Sequence, residues 1–371
     1  MIASEERSTG PAEFTWDKKR VLITGHTGFK GSWLALWLAQ RGARVIGYAL
    51  PPPSEPSLFE LANVDQRIVS VQSDVRSLSQ LQYAISEHNP EIVFHLAAQS
   101  IVGYSYEHPV ETFETNVLGT VNVLEAVRKA DCVRAVVVVT SDKCYENKEW
   151  TWGYRETDSL GGYDPYSASK GCAELVTASY RRAYYSNGEE SGGRHSLPPV
   201  ASVRAGNVIG GGDWAQDRLV PDVMRGILTG GSVELRNPDA VRPWQHVLDP
   251  LSGYLLVAER LWRFGHEYAE AWNFGPTDLD LYTVGEVVDN LKALWQNKKV
   301  HVRKAAALYA ETKHLRLDVS KATTKLSWRP KLNAEEAFKW TVDWYKRYQG
   351  GMEIDKLTEE QITRYESIVN T

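Results

Sequence analysis

A tyrosine and a lysine four residues apart, Tyr166 and Lys170, are the side chains in this sequence best suited to acid–base chemistry. Residues four apart on a helix project from the same face, so the ammonium group can lie near the phenol and favour its ionised form. A phenol whose pKa is lowered in this way is a base that can take a proton from a hydroxyl group. The same spacing recurs at Tyr309 and Lys313, which we interpret as a chance pair on a surface segment.

The segments around Tyr166 distinguish it from the second pair. Asp164 and Pro165 directly precede it and are typical of a helix start. Upstream, residues 135–140 form a valine-rich run, typical of a central parallel strand that is buried on both faces. This strand is followed at once by three polar residues, Ser141, Asp142 and Lys143.

A glycine-rich segment near the amino terminus predicts a dinucleotide-binding site. Residues 21–24 are a short apolar run of buried-strand type, and residues 34–38 carry apolar side chains at helical spacing before Gly42, which fits a helix C-cap. Glycines between two such elements allow a tight turn and let a diphosphate approach backbone N–H groups at the helix N-terminus. The cofactor contacts expected here are Gly25, Thr27, Gly28, Phe29, Lys30 and Gly31.

The choice between NAD and NADP is predicted from the end of the next strand, residues 44–48. In NAD-binding proteins this strand ends in an acidic residue that holds the adenosine ribose, whereas a nearby arginine accommodates the 2′-phosphate of NADP. Neither residue follows Tyr48, and we predict NAD because the phosphate-binding arginine is missing. Later strand ends, one of them with small residues that suit a flat nicotinamide-ribose, add five expected cofactor contacts: Asp74, Val75, Ala97, Ala98 and Gln99. Tyr166 and Lys170 complete this set.

Strand-like and helix-like segments alternate over residues 18–206, which predicts an α/β fold with a doubly wound parallel sheet of the Rossmann type. In such a sheet ligands bind beyond the carboxyl ends of the strands, where the polar residues named above collect.

Residues 207–371 are predicted to form mainly a smaller mixed α/β substrate domain, with some segments returning to the Rossmann domain. Its loops include residues 237–246 and 273–276, and its helices residues 284–295 and 334–348. Residues 1–17 are polar and patternless, and we predict a mobile leader.

Composition narrows the functional classes. The chain has 371 residues, of which 43% are hydrophobic and 24% charged, as in ordinary soluble globular proteins. Its net charge of -5 argues against a nucleic-acid or anionic-membrane partner, and no apolar run suggests a membrane span or an export signal. The 3 cysteines, an odd number without metal-ligand spacing, fit a reducing compartment. We therefore expect a cytoplasmic protein without a metal site.

Four longer motifs carry a resemblance to a known family. They are Gly-His-Thr-Gly-Phe-Lys-Gly-Ser-Trp from Gly25, Ser-Asp-Lys-Cys-Tyr-Glu-Asn-Lys-Glu-Trp from Ser141, Gly-Gly-Tyr-Asp-Pro-Tyr-Ser-Ala-Ser-Lys-Gly from Gly161, and Arg-Pro-Trp-Gln-His-Val from Arg242. With them the chain resembles the extended short-chain dehydrogenase/reductases, and within these the CDP-D-glucose 4,6-dehydratases, over nearly all of its length beyond the leader. The resemblance implies tightly bound NAD, a nucleotide-sugar substrate, and a place in deoxysugar pathways that feed bacterial surface polysaccharides such as the lipopolysaccharide O-antigen. It also implies a homodimer or homotetramer.

The mechanism that the resemblance implies is an internal redox elimination. Hydride leaves C4 of glucose for NAD, water is lost across C5 and C6, and the hydride returns to C6. Tyr166 with Lys170 would take the proton of the C4 hydroxyl, Ser141 would hold that hydroxyl in line, and Asp142 would protonate the leaving C6 oxygen.

Lys143 has two interpretations. Sister dehydratases that resemble this chain carry a glutamate here as the base that attacks C5, which makes Lys143 the candidate base. A lysine serves as a base only when it is neutral, which requires burial and nearby positive charge. In the alternative interpretation Lys143 pairs with Asp142 or with a substrate phosphate.

The expected substrate contacts are less specific than the catalytic ones. Arg242 is the preferred ligand of the diphosphate, because a guanidinium grips phosphate oxygens with two hydrogen bonds. Asn207 and Arg204 would assist, although Arg204 at a strand end fits a structural ion pair equally well. Trp244 would stack on the nucleotide base or, equally, fill the core.

Two other functions remain open. A 4-epimerase needs the serine, tyrosine and lysine but no acid and base for C5 and C6, so Asp142 and Lys143 favour elimination. A dehydratase acting on another nucleotide sugar shares the same residues. A dinucleotide-sensing protein without chemistry commonly lacks the tyrosine or the lysine, and both are present here.

Overall fold

The computed structural model describes residues 14–185, 197–276, 281–296, 301–304 and 314–369. The strands in these ranges are β1 (Arg20–Thr24), β2 (Arg44–Ala49), β3 (Val69–Gln72), β4 (Ile92–His95), β5 (Ala135–Val139), β6 (Val200–Ala205), β7 (Asn207–Ile209), β8 (Ser232–Leu235), β9 (Val241–His246), β10 (Ala271–Phe274), β11 (Leu281–Thr283) and β12 (His301–Lys304).

The α-helices in the same ranges are α1 (Phe29–Gln40), α2 (Leu58–Leu61), α3 (Leu78–His88), α4 (Val102–Glu107), α5 (Pro109–Phe113), α6 (Gly119–Arg128), α7 (Pro165–Ala183), α8 (Leu219–Thr229), α9 (Leu248–Phe264), α10 (Val284–Trp295), α11 (Ser320–Leu326), α12 (Ala334–Gln349) and α13 (Ile354–Val369). A π-helical turn, Glu114–Leu118, joins α5 to α6, and a 3-10 turn, Asp142–Cys144, follows β5.

The central sheet has the strand order β10-β6-β5-β4-β1-β2-β3, and all of its strands are parallel. The order runs outward in both directions from β1 and β4. In doubly wound folds this reversal opens a crevice beyond the carboxyl ends of the central strands. The predicted Rossmann-type sheet is confirmed.

Strand β5 shows why the valine-rich run lies at the centre of the sheet. All of its residues are buried, and successive side chains of a strand point to opposite faces. Val137 belongs to the apolar cluster that contains α1 and α9, whereas Val136 and Val138 belong to the cluster that contains α3 and α6. Helices therefore cover both faces, which requires an apolar residue at every position.

The strand β10 corrects one sequence-based expectation. The segment from Asn273 was predicted to be a loop of the substrate domain, but Ala271–Phe274 pairs in parallel with β6 and forms an edge of the central sheet. Four residues are too short to show a period, so the sequence pattern could not separate this strand from a loop.

The remaining strands form two small sheets. β9 pairs in parallel with β7 and antiparallel with β11, and β8 pairs in parallel with β12. This region faces the carboxyl ends of the central strands. A Cβ placed on Gly206, directly before β7, would lie 2.8 Å from the Asp142 carboxylate, and Pro243 of β9 lies beside it.

The helices match the sequence pattern unevenly. α10 has the predicted bounds and α12 differs by one residue, whereas α8, α9 and α13 were not predicted. The π-helical turn interrupts the helical segment between α5 and α6, and Val110 in α5 is 70% exposed. Within the described ranges, none of the helices combines the length and apolarity that a membrane crossing needs.

The predicted leader ends earlier than residue 17. Trp16 is buried, and the ring of Phe14 packs edge-on against Trp16 and against Trp262 of α9. These two aromatic residues belong to the main apolar core rather than to a mobile segment.

A buried carboxyl joins three elements of the fold. Asp249, in the first turn of α9, accepts hydrogen bonds from the backbone N–H of Lys331 at 2.7 Å and from the hydroxyl of Tyr365 in α13 at 2.7 Å. Burial is the main cause that raises the pKa of Asp249 to about 7. The folded protein therefore binds this proton more tightly than the unfolded chain does.

This difference predicts a pH-dependent stability. The contribution is fully present below the ordinary pKa of 3.8 and is lost as the pH rises through about 7. We expect Asp249→Asn to gain about 2–3 kcal/mol in free energy of unfolding relative to the wild type between about pH 5 and pH 8. Urea unfolding at several pH values measures it, with exposed Asp65→Asn as the control. Parallel pH profiles for wild type and Asp249→Asn would contradict the assignment.

Candidate active site

Helix α7 positions the predicted tyrosine and lysine. It begins at Pro165, and the Asp164 carboxylate caps it by accepting a hydrogen bond from the Ser167 N–H at 2.8 Å. Tyr166 and Lys170 lie one turn apart and are both buried, on the helix side that contacts the 3-10 turn after β5. The structure thus brings these two residues to the carboxyl end of β5, as predicted.

A buried asparagine that the sequence analysis missed connects α7 to the end of β4. The side-chain amide of Asn116, in the π-helical turn, donates to Ser169 Oγ at 2.8 Å and to the backbone carbonyl of Gln99 at 2.9 Å. Its oxygen accepts from the Gln99 N–H at 2.8 Å. A polar residue inside an otherwise apolar helical pattern is the signal that could have identified it.

Ser141 and Asp142 lie beside the phenol of Tyr166. Ser141 Oγ donates to Asp142 Oδ1 at 2.9 Å, and the Ser141 hydroxyl lies close enough to the phenol to lower the pKa of Tyr166. The backbone N–H of Lys143 donates to Ser141 Oγ at 3.2 Å, which fixes the 3-10 turn. The Lys143 side chain is only half-buried.

Burial dominates the acid–base properties of these groups. It raises the pKa of Tyr166 to about 12, and the Ser141 hydrogen bond and the charge of Arg218 oppose this rise. Burial lowers the pKa of Lys170 to about 8. The expectation that Lys170 lowers the pKa of Tyr166 is therefore not met in this structure, because desolvation outweighs the nearby cations.

Asp142 has the properties of a buried acid. Burial raises the pKa of its carboxyl, and the charge of Lys143, the Ser141 hydrogen bond and the charges of Lys30 and Arg242 oppose the rise. Such a carboxyl holds a proton more readily than an exposed one does. Asp142 is thus suited to donate a proton to an oxygen in the crevice.

Two cations at the site were not assigned there by sequence. Lys30 was expected to contact the cofactor, and its charge also acts on the catalytic groups. Burial lowers its pKa to about 8, the charge of Arg218 adds to this, and Asp142 opposes it. Arg218 donates to Asp213 at 3.1 Å and to Ser100 Oγ at 2.7 Å, linking the smaller region to the segment after β4. No short motif marks Arg218 in the sequence.

Arg204 is a structural residue rather than a substrate ligand. Two of its guanidinium nitrogens donate to the two carboxylate oxygens of Glu174 at 2.8 Å, and a third donates to the Tyr145 hydroxyl. Both partners of the ion pair are 3% exposed. Of the two roles expected for Arg204, the structural ion pair is the one that this geometry favours, because its donors already have buried partners.

Strand β9 carries two of the other predicted substrate residues, and they differ in their exposure to the crevice. Trp244 is buried, and its indole N–H donates to the backbone carbonyl of Tyr282 at 3.3 Å. This packing rules out the predicted stacking of Trp244 on a base. Arg242, two residues earlier, is half-buried and close enough to lower the pKa of Asp142, and Asn207 is also half-buried at the start of β7.

The glycine-rich segment forms a cradle that fits a diphosphate. A Cβ on Gly31 would lie 2.1 Å from the Gly25 carbonyl oxygen, and Gly25 itself has φ +76°. No side chain caps the N-terminus of α1, whose first turn carries no acidic residue. Unpartnered N–H groups at a helix N-terminus attract anions.

The other predicted cofactor residues surround this cradle. The Thr27 hydroxyl donates to the Leu50 carbonyl at 2.9 Å, and the carboxylate of Asp74 is paired with Arg76 at 2.7 Å. Val75 is buried, and the half-buried residues 97–99 follow β4 next to the cradle. Phe29 packs against Gly210 of the smaller region.

Two other expectations concern the rest of the chain. Tyr309 and Lys313, interpreted as a chance pair, lie outside the residues that the structure describes. In the described ranges, no three His, Cys, Asp or Glu side chains come together in a group that could hold a metal ion.

Comparison with known proteins identifies the family. Residues 22–341 match the family described as GDP-mannose 4,6 dehydratase, and the chain belongs to this family. The chain is 49% identical over 354 residues to the CDP-glucose 4,6-dehydratase of Salmonella typhimurium, an alignment that covers 95% of this chain and 97% of the relative. It is 26% identical to the dTDP-glucose 4,6-dehydratase of Xanthomonas campestris, over 87% of this chain and 92% of that one.

Solved structures share the fold. The dTDP-glucose 4,6-dehydratase DesIV of Streptomyces venezuelae, solved with NAD bound, superposes with a TM-score of 0.75 at 26% identity, over 91% of this chain and 99% of that one. The UDP-glucose 4-epimerase of Thermotoga maritima superposes with a TM-score of 0.76 at 23% identity, over 89% and 99% of the two chains. The second similarity concerns the fold alone.

The pairing of Arg204 predicts a contrast between two arginines. Arg204→Met leaves Glu174 buried without its partner, and we expect a loss of about 3–5 kcal/mol in free energy of unfolding. Arg242→Met is the matched control, because Arg242 is half-buried, and its cost should stay within about 1 kcal/mol. Urea denaturation followed by tryptophan fluorescence measures both. Similar small losses for the two variants would show that the ion pair does not carry this stability.

Proposed function

We propose that this protein converts CDP-D-glucose to CDP-4-keto-6-deoxy-D-glucose and water, as a hydro-lyase that uses and regenerates NAD. The observation that carries this proposal is a buried carboxyl, Asp142, held by Ser141 beside Tyr166. The identity of 49% with the Salmonella typhimurium CDP-glucose 4,6-dehydratase over nearly the whole of both chains supports the choice of nucleotide sugar.

The residues around the glycine cradle fit NAD. The cradle has no room for side chains at Gly25 and Gly31, and the uncapped N-terminus of α1 suits a diphosphate. Asp74 and Val75, the residues 97–99, and Lys170 would hold the rest of the dinucleotide. When bound, NAD supplies the acceptor for hydride from C4 and the donor of hydride to C6.

Each catalytic side chain has a task in this reaction. Tyr166 receives the proton of the C4 hydroxyl, and Ser141 orients that hydroxyl through its own hydrogen bonds. Asp142 protonates the C6 oxygen as water leaves, which its raised pKa favours. Burial of Tyr166 and Asp142 excludes water, so that the proton transfers occur between fixed partners.

Lys143 is the proposed base at C5. It occupies the position next to the acid, and its charge lowers the pKa of Asp142, which places it within electrostatic reach of the reacting groups. Its side chain is half-buried rather than enclosed, so substrate binding has to supply further desolvation. A 4-epimerase requires neither this base nor an acid, which favours elimination as the activity.

A cluster of cations would hold the substrate diphosphate. Arg242 lies near Asp142 on the smaller region, with half-buried Asn207 on the neighbouring strand. Lys30 of α1 and Arg218, directly before α8 in the smaller region, add further positive charge. An anionic substrate offsets the mutual repulsion of these groups.

The proposed partner, apart from the substrate, is a second copy of the chain. Large apolar side chains stand exposed on the adjoining elements α4, α5, the π-helical turn and α7: Tyr104, Val110, Phe113, Leu118 and Leu175. Exposed apolar patches of this kind mark association surfaces, which supports a homodimer or homotetramer. The free state of Cys132, Cys144 and Cys172 fits the proposed cytoplasmic location.

The substrate assignment predicts a selective reaction. Among CDP-, dTDP-, GDP- and UDP-glucose, we expect the purified enzyme with NAD to convert CDP-glucose fastest, yielding a 4-keto-6-deoxy sugar that mass spectrometry and NMR identify. Tyr166→Phe is the control and should lose turnover. A 4-epimerised sugar, or NAD binding without turnover of any of the four, would refute the proposal.

The role of Lys143 predicts a split between two steps. With Lys143→Met we expect loss of solvent deuterium exchange at C5, because no base remains, while hydride transfer from C4 continues. NMR of the sugar in D₂O follows the exchange, and the absorbance of the reduced cofactor follows hydride transfer. Exchange at the wild-type rate in Lys143→Met would assign the lysine to charge pairing instead.

A further inference from the structure

Gly206 is the single residue between two sheets, and it has no room for a side chain. It follows Ala205, the last residue of β6 in the central sheet, and precedes Asn207, the first residue of β7. A Cβ placed on it would lie 2.8 Å from Asp142 Oδ2 and 3.7 Å from Pro243 of β9. Its φ lies outside the left-handed region, so its backbone conformation does not require glycine. The space that a side chain would need is the space that the Asp142 carboxyl occupies.

The neighbouring strands hold the backbone of Gly206 on both sides. Ala205 is in register with Phe274 of β10, and Asn207 is in register with Trp244 of β9. A shift of Gly206 away from the carboxyl would disturb the pairing of one sheet or the other. A methyl group at this position is therefore accommodated more easily by rotation of the Asp142 side chain, because the oxygen that it meets is the free end of that side chain.

The two carboxyl oxygens of Asp142 have different surroundings. Oδ1 accepts a hydrogen bond from Ser141 Oγ at 2.9 Å, and Ser141 Oγ itself accepts from the backbone N–H of Lys143 at 3.2 Å. Oδ2 has no hydrogen-bond partner among the described residues and is not fully enclosed. A protonated carboxyl has one hydroxyl oxygen and one carbonyl oxygen. Because Oδ1 accepts from Ser141, Oδ2 is the oxygen that carries the acidic proton.

We propose that Gly206 is a positioning residue for the elimination: its bare Cα lets Oδ2 of Asp142 stand where this oxygen protonates the departing C6 oxygen. This inference rests on the proposed function and deepens it, because it names the oxygen that acts and the residue that leaves room for it. Gly206 supplies no group to the reaction and acts through Asp142.

The bonds of this step balance without an outside donor. The C5 proton goes to its base, and the electron pair of the C5–H bond forms the double bond between C5 and C6. The C6–O bond breaks with its electron pair on the oxygen, which takes the proton from Oδ2. Water leaves, and Asp142 becomes a carboxylate.

Gly206→Ala should separate the two steps of the reaction. In single-turnover experiments with the NAD-loaded protein and CDP-D-glucose, we expect cofactor reduction to keep the wild-type rate, because oxidation at C4 does not use Asp142. Re-oxidation of the cofactor, which follows the loss of water, should slow by about 10²-fold, since a displacement of about 1 Å at a reacting group costs about that much. The reduced cofactor then accumulates, and its absorbance measures both rates.

Gly275→Ala is the matched control. Gly275 directly follows β10, as Gly206 directly follows the neighbouring strand β6. A Cβ on Gly275 would meet Val319 at 3.5 Å and Leu317 at 3.7 Å, which are ordinary contact distances. Both rates in this variant should match those of the wild type.

A double variant tests whether Gly206 acts through Asp142. Asp142→Ala removes the acid together with the atoms that a methyl group at position 206 would meet. Adding Gly206→Ala to it should therefore slow re-oxidation no further. An additional loss of about tenfold or more would show that Gly206 acts on another group and would overturn the proposal.

The assignment of the oxygen has a test that needs no variant. In a crystal structure of the wild type with reduced cofactor and CDP-D-glucose, a complex that cannot be oxidised at C4, we expect Oδ2 of Asp142 to lie nearest to the C6 oxygen. A structure with Oδ1 in that place would contradict the proposal. This measurement decides the question if urea unfolding shows that Gly206→Ala does not fold.

Two kinetic results would also overturn the role of Gly206. One is re-oxidation at the wild-type rate in folded Gly206→Ala, and the other is equal slowing of both steps, which indicates a general disturbance of the site. Either result, with the wild type still forming the 4-keto-6-deoxy product, removes this inference and leaves the proposed function. Absence of that product from the wild type removes both.

Discussion

The site depends on one buried carboxylate, Glu174, which lies one helical turn beyond Lys170. It binds the guanidinium of Arg204 from β6 and also accepts hydrogen bonds from the hydroxyls of Thr140 and Ser202. Helix α7 is thereby fixed to the ends of two central strands. Thr140 directly precedes Ser141, so the Glu174 carboxylate also fixes Ser141 and Asp142 in position relative to the catalytic residues of α7. A charge this deeply buried is tolerated because every oxygen is paired.

In the crevice beside Glu174, charged side chains of both signs lie buried or half-buried. Lys30, Arg218 and Arg242 approach from separate elements, and Asp142 lies among them. Desolvation shifts the pKa of each titrating group so that its neutral form is favoured, and neighbouring groups of opposite charge oppose this shift.

Much of this arrangement could be predicted from the sequence. The strand, glycines and helix around Gly25 specify their own geometry, and the valine-rich β5 led directly to Ser141 and Asp142. Local patterns could not show how side chains from distant segments meet. Two roles stayed open for Arg204 and for Trp244 because a strand pattern does not reveal which neighbour covers each end, and here Glu174 and Tyr282 do so. Lys30 and Arg218 reach the site only through the packing of the two regions.

The edge strand β10 affects how the chain acquires its structure. β6 ends at Ala205, but its neighbour in the sheet begins only at Ala271, after β7, β8, β9, α8 and α9 have been made. During synthesis the nucleotide-binding half therefore remains incomplete, with one edge of β6 unpaired, until much of the smaller region has been made. Such long-range pairing slows folding and ties the two regions into a single cooperative event, so neither half is expected to mature alone on the ribosome.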